Sequence, residues 1–259
     1  MIVSAQGKKP KVLLYDVEST PNRGYCWEKY EQDIIEFDRE RQIITFAYKW
    51  LGEKEVHAYS LPDFPSFQAD ISDNKALIQK LHDVMSEANI VVGHNVNQFD
   101  DRMANADFLR HGLNPPPPHR TVDTLAFARS KFRLNSNKLD DLGKILGVGR
   151  KVKHEGFSLW RKCMDGDTEA FKRMVRYNKQ DVVLLEAVYL KLRPWMAHHP
   201  NMNAIDKNDG CPVCRSRNLM SRGFSIFGGG KRPRFKCKDC GKWSSGVVIQ
   251  GRWEFRGRA

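Results

Sequence analysis

Four cysteines constrain this chain more tightly than any other feature. They form two knuckles, Cys211-Pro-Val-Cys214 and Cys237-Lys-Asp-Cys240, with 22 residues between them. Each Cys-x-x-Cys sets two sulfurs on one tight turn, and a second turn folding back completes a tetrahedron of thiolates. The spacing predicts one structural Zn²⁺ held by Cys211, Cys214, Cys237 and Cys240. A redox dithiol is the alternative for a single Cys-x-x-Cys; two at this separation favour zinc. The loop between the pairs exceeds the usual spacing of about 15–20 residues, and Gly228-Gly229-Gly230 gives it room to turn. Cys26 and Cys163 stand alone and read as small core or surface residues.

The cysteine-bearing end is also where the charge lies. Positions 207–259 carry 13 basic and 3 acidic residues, against 30 basic and 28 acidic in the rest of the 259-residue chain. A near-neutral body with a strongly basic end points to a polyanionic partner. With 41% hydrophobic and 29% charged residues, the composition excludes a largely disordered or fibrous chain. No apolar run approaches the ~20 residues that span a bilayer. Positions 1–10 hold lysines but no apolar stretch of the kind that opens a secretory signal. The expectation is a cytoplasmic protein with reduced thiols and no membrane partner.

Positions 11–17 (KVLLYDV) form an apolar run that reads as a buried strand, followed by strands at 42–50 and 55–60. Leu77, Ile78, Leu81 and Met85 recur at helical spacing in 74–88, with Ser72 or Asp73 as the cap. A short strand at 89–93 leads to a helix over 98–111 ended by Gly112. A strand or helix start at 122–129, a helix over 138–146 and a long helix over 167–192 follow. The order implies an α/β fold, a mixed sheet packed by helices. The polar segment 195–210 lacks periodicity and reads as a linker.

Three groups of residues carry chemistry. Asp16 and Glu18 end the first apolar strand and point to one side of it, being two residues apart. Their like charges call for a hard divalent cation such as Mg²⁺ or Mn²⁺; an exposed strand-end pair is the plain alternative. Next comes Gly93-His94-Asn95-Val96-Asn97-Gln98-Phe99-Asp100, where a loop leaves a buried strand and enters a helix. Asn97 as a helix cap and Asp100 beside the positive helix end would account for it without chemistry. Finally, Tyr177 and Asp181 are four residues apart in the long helix and share one face.

In this order the three segments resemble the DEDD family of 3′–5′ exonucleases, which has an RNase H-like fold. The resemblance covers roughly 11–192. The first motif reads Y-D-V-E-S-T-P. The second, H-N-V-N-Q-F-D, is most similar to the exonuclease domain of B-family DNA polymerases. The third, Y-N-K-Q-D-V, is the tyrosine (DEDDy) form; the histidine form would need His where this chain has Arg176. Val122-Asp123-Thr124 and the segment 138–142 resemble family segments between the second and third motifs.

The resemblance implies a two-metal-ion phosphodiester hydrolase using two Mg²⁺ or Mn²⁺. Asp16 would bridge both ions, Glu18 and Asp181 would complete the ion that activates water, and Asp100 would hold the second. Tyr177 would orient the attacking water. Asn95, Phe99 and Thr20 would contact the terminal nucleotide. The implied organisation is an exonuclease domain over 11–193, a linker at 194–209 and a basic zinc ribbon at 210–259. In the ribbon, Arg215, Arg217, Arg222, Lys231, Arg232, Arg234, Lys236 and Lys242 are interleaved with Phe224, Phe227, Phe235 and Trp243. Cations beside aromatic platforms suit single-stranded nucleic acid. The favoured substrate is single-stranded or frayed DNA. RNA or oligonucleotide exonuclease activity, structure-specific endonuclease activity, and a zinc-ribbon adaptor on a replication, repair or transcription complex are the alternatives.

Overall fold

The first apolar run becomes strand β1 (Val12–Ser19), the middle strand of a five-stranded mixed sheet. Val12 to Tyr15 and Val17 are buried, so β1 is covered on both faces, and such strands read as continuous apolar runs. The computed structural model describes residues 9–30, 33–152, 155–206, 208–227, 230–249 and 252–254. It divides the chain into two compact units, one of Val12–Ala187 and one built on Val188–Ala259.

In the first unit a short hairpin, β2 (Arg23–Tyr25) and β3 (Glu36–Arg39), intervenes before β4 (Ile43–Trp50) and β5 (His57–Ser60). The hairpin strands pair with each other and stay outside the main sheet. They leave Tyr25, Trp27, Tyr30, Ile35 and Phe37 exposed, Trp27 to 86%. The alternating charges among these apolar residues hid the hairpin from the sequence pattern. Helix α1 (Lys75–Ser86) leads to β6 (Ile90–Gly93), α2 (Asp100–Arg110), β7 (Arg120–Asp123) and α3 (Thr124–Lys131). Helices α4 (Leu139–Ile145), α5 (Phe157–Met164) and α6 (Thr168–Leu192) follow, and the last turns of α6, past Ala187, belong to the second unit. The eight-residue α5 was also missed.

The sheet order is β5-β4-β1-β6-β7. β1 is antiparallel to β4 and parallel to β6, which is parallel to β7. Leu13, Tyr15, Val17, Phe46 and Val91 form one cluster with Leu77, Leu81, Phe108, Leu159, Phe171 and Met174 from the helices. Each such side chain contributes about 1.5–3 kcal/mol by leaving water.

Two capping expectations change. Asn74 occupies the α1 cap position, but its amide donates to Ile43 O at 3.2 Å and Asp107 Oδ2 at 3.1 Å. Asp73 instead accepts from Lys75 N at 2.9 Å. Asn97 does not cap α2: the cap position is Phe99, without a side-chain bond.

In the second unit β8 (Leu219–Phe227), β9 (Gly230–Cys237) and β10 (Trp243–Ser245) form an antiparallel sheet. Strands β11 (Val247–Ile249) and β12 (Arg252–Glu254) pair separately. Gly228 and Gly229, read as the turn of the long loop, lie outside the described residues, as do 1–8. The polar segment 194–209 carries buried side chains of this unit. His199 Nδ1 donates to Pro200 O at 2.8 Å and its Nε2 accepts from Tyr189 at 2.7 Å. Asn203 donates to Gly210 O at 2.8 Å.

Candidate active site

The three parallel strands β1, β6 and β7 end at one edge of the sheet, where ligands of open α/β sheets bind. Asp16 and Glu18 stand at the end of β1, and α6 brings Asp181 to them. One carboxylate oxygen from each lies within 4.8 Å of the others. Asn178 fixes the arrangement: its Nδ2 donates to Asp16 Oδ2 at 2.6 Å and to Asp16 O at 3.2 Å. Asp100, at the start of α2, accepts from Val17 N at 3.1 Å and is buried beside Asp16. The next residue, Asp101, accepts from Tyr15 at 2.6 Å.

The loop between β6 and α2 is set by β7. Asp123 caps α3 by accepting from Leu125 N at 2.9 Å and Ala126 N at 3.0 Å. The same carboxylate accepts from Asn95 N at 3.1 Å and Asn97 N at 3.3 Å. Asn95 is held in the left-handed region, with φ 76°. Gly93 lets the chain turn there, since a Cβ on it would meet Val96 Cβ at 2.5 Å. Thr124 donates to Gly93 O at 3.0 Å, so it accepts from His94 Nδ1 at 2.9 Å. Burial pulls the His94 imidazole down to about 4 and keeps it neutral.

Burial, Asp100, Glu18 and Asp181 together hold Asp16 well above the usual carboxylate range. Glu18 is pushed up to about 8 by burial and then by Asp181, against Lys151. Asp100 is pushed up to about 7, chiefly by burial. Tyr177 is packed edge-on to Trp160, with centroids 6.4 Å apart. Burial and Asp181 push its phenol above the ordinary value, so the hydroxyl keeps its proton. Lys151 donates to Tyr177 Oη at 3.1 Å and pairs with Asp181 Oδ2 at 2.5 Å.

These shifts give a testable pH dependence. A carboxyl whose folded pKa exceeds its unfolded value binds its proton more tightly when folded, so the folded state loses ground as pH rises. For Glu18 the loss develops between the ordinary 4.5 and about 8. In EDTA, Tm should fall over that interval, and Glu18→Gln should flatten the fall. Thermal scans across pH check this; an unchanged slope in Glu18→Gln would remove Glu18 as its source.

A family model described as RNase_H superfamily matches residues 31–193, well over half of the chain. The chain belongs to the RNase H superfamily. Protein NEN3 of Arabidopsis thaliana is 32% identical over 75 residues, 28% of this chain and 15% of that protein. The family B DNA polymerase of the archaeon Pyrobaculum calidifontis is a structural neighbour at TM-score 0.53 and 16% identity. That match covers 80% of this chain and 26% of the polymerase, so the chain spans about a quarter of its length or less in either relative. The likeness to the polymerase is one of fold.

RNase H-like nucleases use divalent metals, and the donor set in this superfamily member fits one: three hard carboxylate oxygens converge, and burial disfavours their charge without a cation. The cysteines fit zinc. Sγ atoms of Cys211 and Cys240, and of Cys214 and Cys237, are 3.6 Å apart; a tetrahedron with Zn–S bonds of about 2.3 Å has edges of ~3.8 Å. The knuckles repeat one geometry. Arg215 N donates to Cys211 O at 2.8 Å and Gly241 N to Cys237 O at 3.0 Å. Both residues have positive φ, 68° and 82°.

The residues expected at the terminal nucleotide are arranged unequally. Phe99 is 36% exposed and Asn95 half-buried, both in the second-motif loop. Thr20 is buried, and its hydroxyl accepts from Gln42 N at 3.1 Å. Of the ribbon cations, Lys242 is buried and donates to Met196 O at 2.6 Å, and Arg215 pairs with Asp206. Arg222, Lys231, Arg234 and Lys236 are exposed. Lys231 lies over the Phe224 ring at 4.9 Å and Arg234 over Trp243 at 5.6 Å. Among the described residues no helix is long and apolar enough to cross a membrane. The sequence reading missed Lys151, Asn178, Trp160 and the positioning part of Asp123.

Proposed function

We propose that this chain is a metal-dependent 3′–5′ exonuclease acting on single-stranded or frayed DNA ends. The convergence of Asp16, Glu18 and Asp181 at the carboxyl edge of the sheet carries the reading. Two bound Mg²⁺ or Mn²⁺ ions would supply charge stabilisation for the attacking and leaving oxygens. Asp16, Glu18, Asp100 and Asp181 would hold the ions. Asn178 fixes the orientation of the Asp16 carboxylate. Tyr177 orients the attacking water by donating its hydroxyl proton. Asn95 and Phe99 receive the terminal nucleotide. A DNA polymerase among its structural neighbours is the ground for placing DNA first; contacts to the 2′-OH separate DNA from RNA. The exonuclease domain is assigned to 11–193, and the ribbon over 210–259, with one structural Zn²⁺, binds nucleic acid through Arg222, Lys231, Arg234 and Lys236 beside Phe224 and Trp243.

The test is digestion of 3′-labelled and 5′-labelled DNA and RNA, with and without Mg²⁺. Mononucleotides released from the 3′ end of DNA are expected. Internal cuts in a circular single strand would replace the reading with an endonuclease. Tyr177→Phe keeps the ring and its packing on Trp160 but loses the donor. Water-positioning and proton-transfer contributions are typically about 10²–10⁴-fold, so a single-turnover rate loss toward the lower end is expected with substrate affinity nearly unchanged. An unaltered single-turnover rate would exclude Tyr177 from the chemistry.

A further inference from the structure

Lys151 does more than neutralise a buried acid. Its ammonium contacts Asp181 Oδ2 at 2.5 Å and Tyr177 Oη at 3.1 Å, so one cationic group engages a proposed ion ligand and the proposed water-orienting hydroxyl at once. It also lies over the Tyr177 ring, 5.3 Å from the centroid. Asp181 is 1% exposed, whereas the Lys151 side chain is 34% exposed. The partner that can move is therefore the lysine. Its backbone is pinned, because Lys151 N donates to Asp140 Oδ1 at 2.8 Å, but four rotatable carbons separate that amide from the charge. A cavity of about 590 Å³ adjoins it, lined by Lys151 with His94, Arg129, Asn137 and Lys138, and has room for the displaced head group.

We propose that Lys151 is a built-in counter-cation that competes with the divalent ion for Asp181 and swings off it when the ion binds. The inference rests on the metal-dependent reading above. An ion held by Asp16, Glu18 and Asp181, whose oxygens lie within 4.8 Å of one another, would share the Asp181 carboxylate with the ammonium that already contacts its Oδ2. In a partly buried site such like charges repel strongly, so the two cations exclude each other. The lysine keeps the acidic cluster folded before the ion arrives, at the cost of weaker ion binding. Its bond to Tyr177 Oη uses a lone pair and leaves the hydroxyl proton free for water, so the competition is for Asp181.

The decisive measurement is Mn²⁺ affinity of the full-length protein without substrate, read by electron paramagnetic resonance at pH 8. Lys151→Met should tighten binding at least about tenfold, while Lys151→Arg, which keeps the charge, should stay within about threefold of the parent. In EDTA, Lys151→Met should melt earlier than the parent, yet gain more Tm from Mn²⁺. A second readout needs no variant. Acetic anhydride labelling of Lys151, followed by mass spectrometry, should be slow in EDTA and several-fold faster with Mg²⁺. Equal Mn²⁺ affinity in Lys151→Met and the parent, or labelling indifferent to Mg²⁺, overturns the proposal and leaves the metal-dependent reading standing. A parent protein that binds no Mn²⁺ overturns both.

Discussion

Asp16→Asn is expected to lower Mg²⁺-dependent hydrolysis by at least about 10³-fold, while raising Tm in EDTA. Asp16 is the residue on which the site converges. It shares the oxygen cluster with Glu18 and Asp181, it stands beside Asp100, and Asn178 fixes its orientation. Charge stabilisation by a catalytic ion is worth several kcal/mol, and each 1.4 kcal/mol is a factor of ten in rate. The gain in Tm has the opposite origin. Burial and three neighbouring carboxylates all disfavour the Asp16 charge, so a neutral side chain of the same shape relieves repulsion at neutral pH. Release of label from a 3′-labelled single strand and thermal scans in EDTA measure the two effects. Retained activity would remove Asp16 from the chemistry, and a lower Tm would contradict the repulsion account.

Cys211→Ser is expected to abolish zinc retention and unfold the ribbon sheet. The cluster of Cys211, Val213 and Cys237, with Leu219 packed against it, is too small to fold that region alone. Structural zinc in small peptides supplies about 10–16 kcal/mol at neutral pH, far more than such a core. One zinc per parent chain and none in the variant is the expected result by metal analysis. Loss of the β8–β9–β10 surface should weaken binding to single-stranded nucleic acid and flatten its salt dependence, which has a slope of about −0.7 per phosphate contact. Mg²⁺-dependent turnover at saturating substrate should survive, since the proposed ligands Asp16, Glu18, Asp100 and Asp181 all precede the ribbon. Unchanged affinity and salt slope would make the ribbon a protein-docking module instead.

The main sheet was legible because its strands are buried runs: 11–17, 42–50 and 89–93 announce β1, β4 and β6 by composition alone. The carboxylates were legible because two of them interrupt the end of such a run, where an apolar residue would otherwise continue. Lys151 could not be read in the same way. It sits in the basic, glycine-bearing stretch 149–153, which has no periodicity, and its meaning comes from Asp181, 30 residues away. Asn178 lies inside the third motif but reads as a spacer until its amide is seen on Asp16. Lys242 shows the reverse error. It counts as a cation in the sequence, yet burial gives its ammonium to a backbone carbonyl. Asp123 carries a small signal that was available: an acidic residue ending a strand directly before a helix is a cap, and a cap can serve two loops.

The site draws on distant parts of the chain, and this fixes when it can exist. β1 pairs with β4 about 30 residues away, but its parallel partner β6 is nearly 80 residues on, and Asn178 reaches Asp16 across 162 residues. Closing loops of that length is slow relative to forming hairpins and helices. A chain emerging from the ribosome would carry Asp16 and Glu18 long before Asp181 is synthesised. The proposed ion site is therefore incomplete in the unfinished polypeptide and is assembled only when α6 docks.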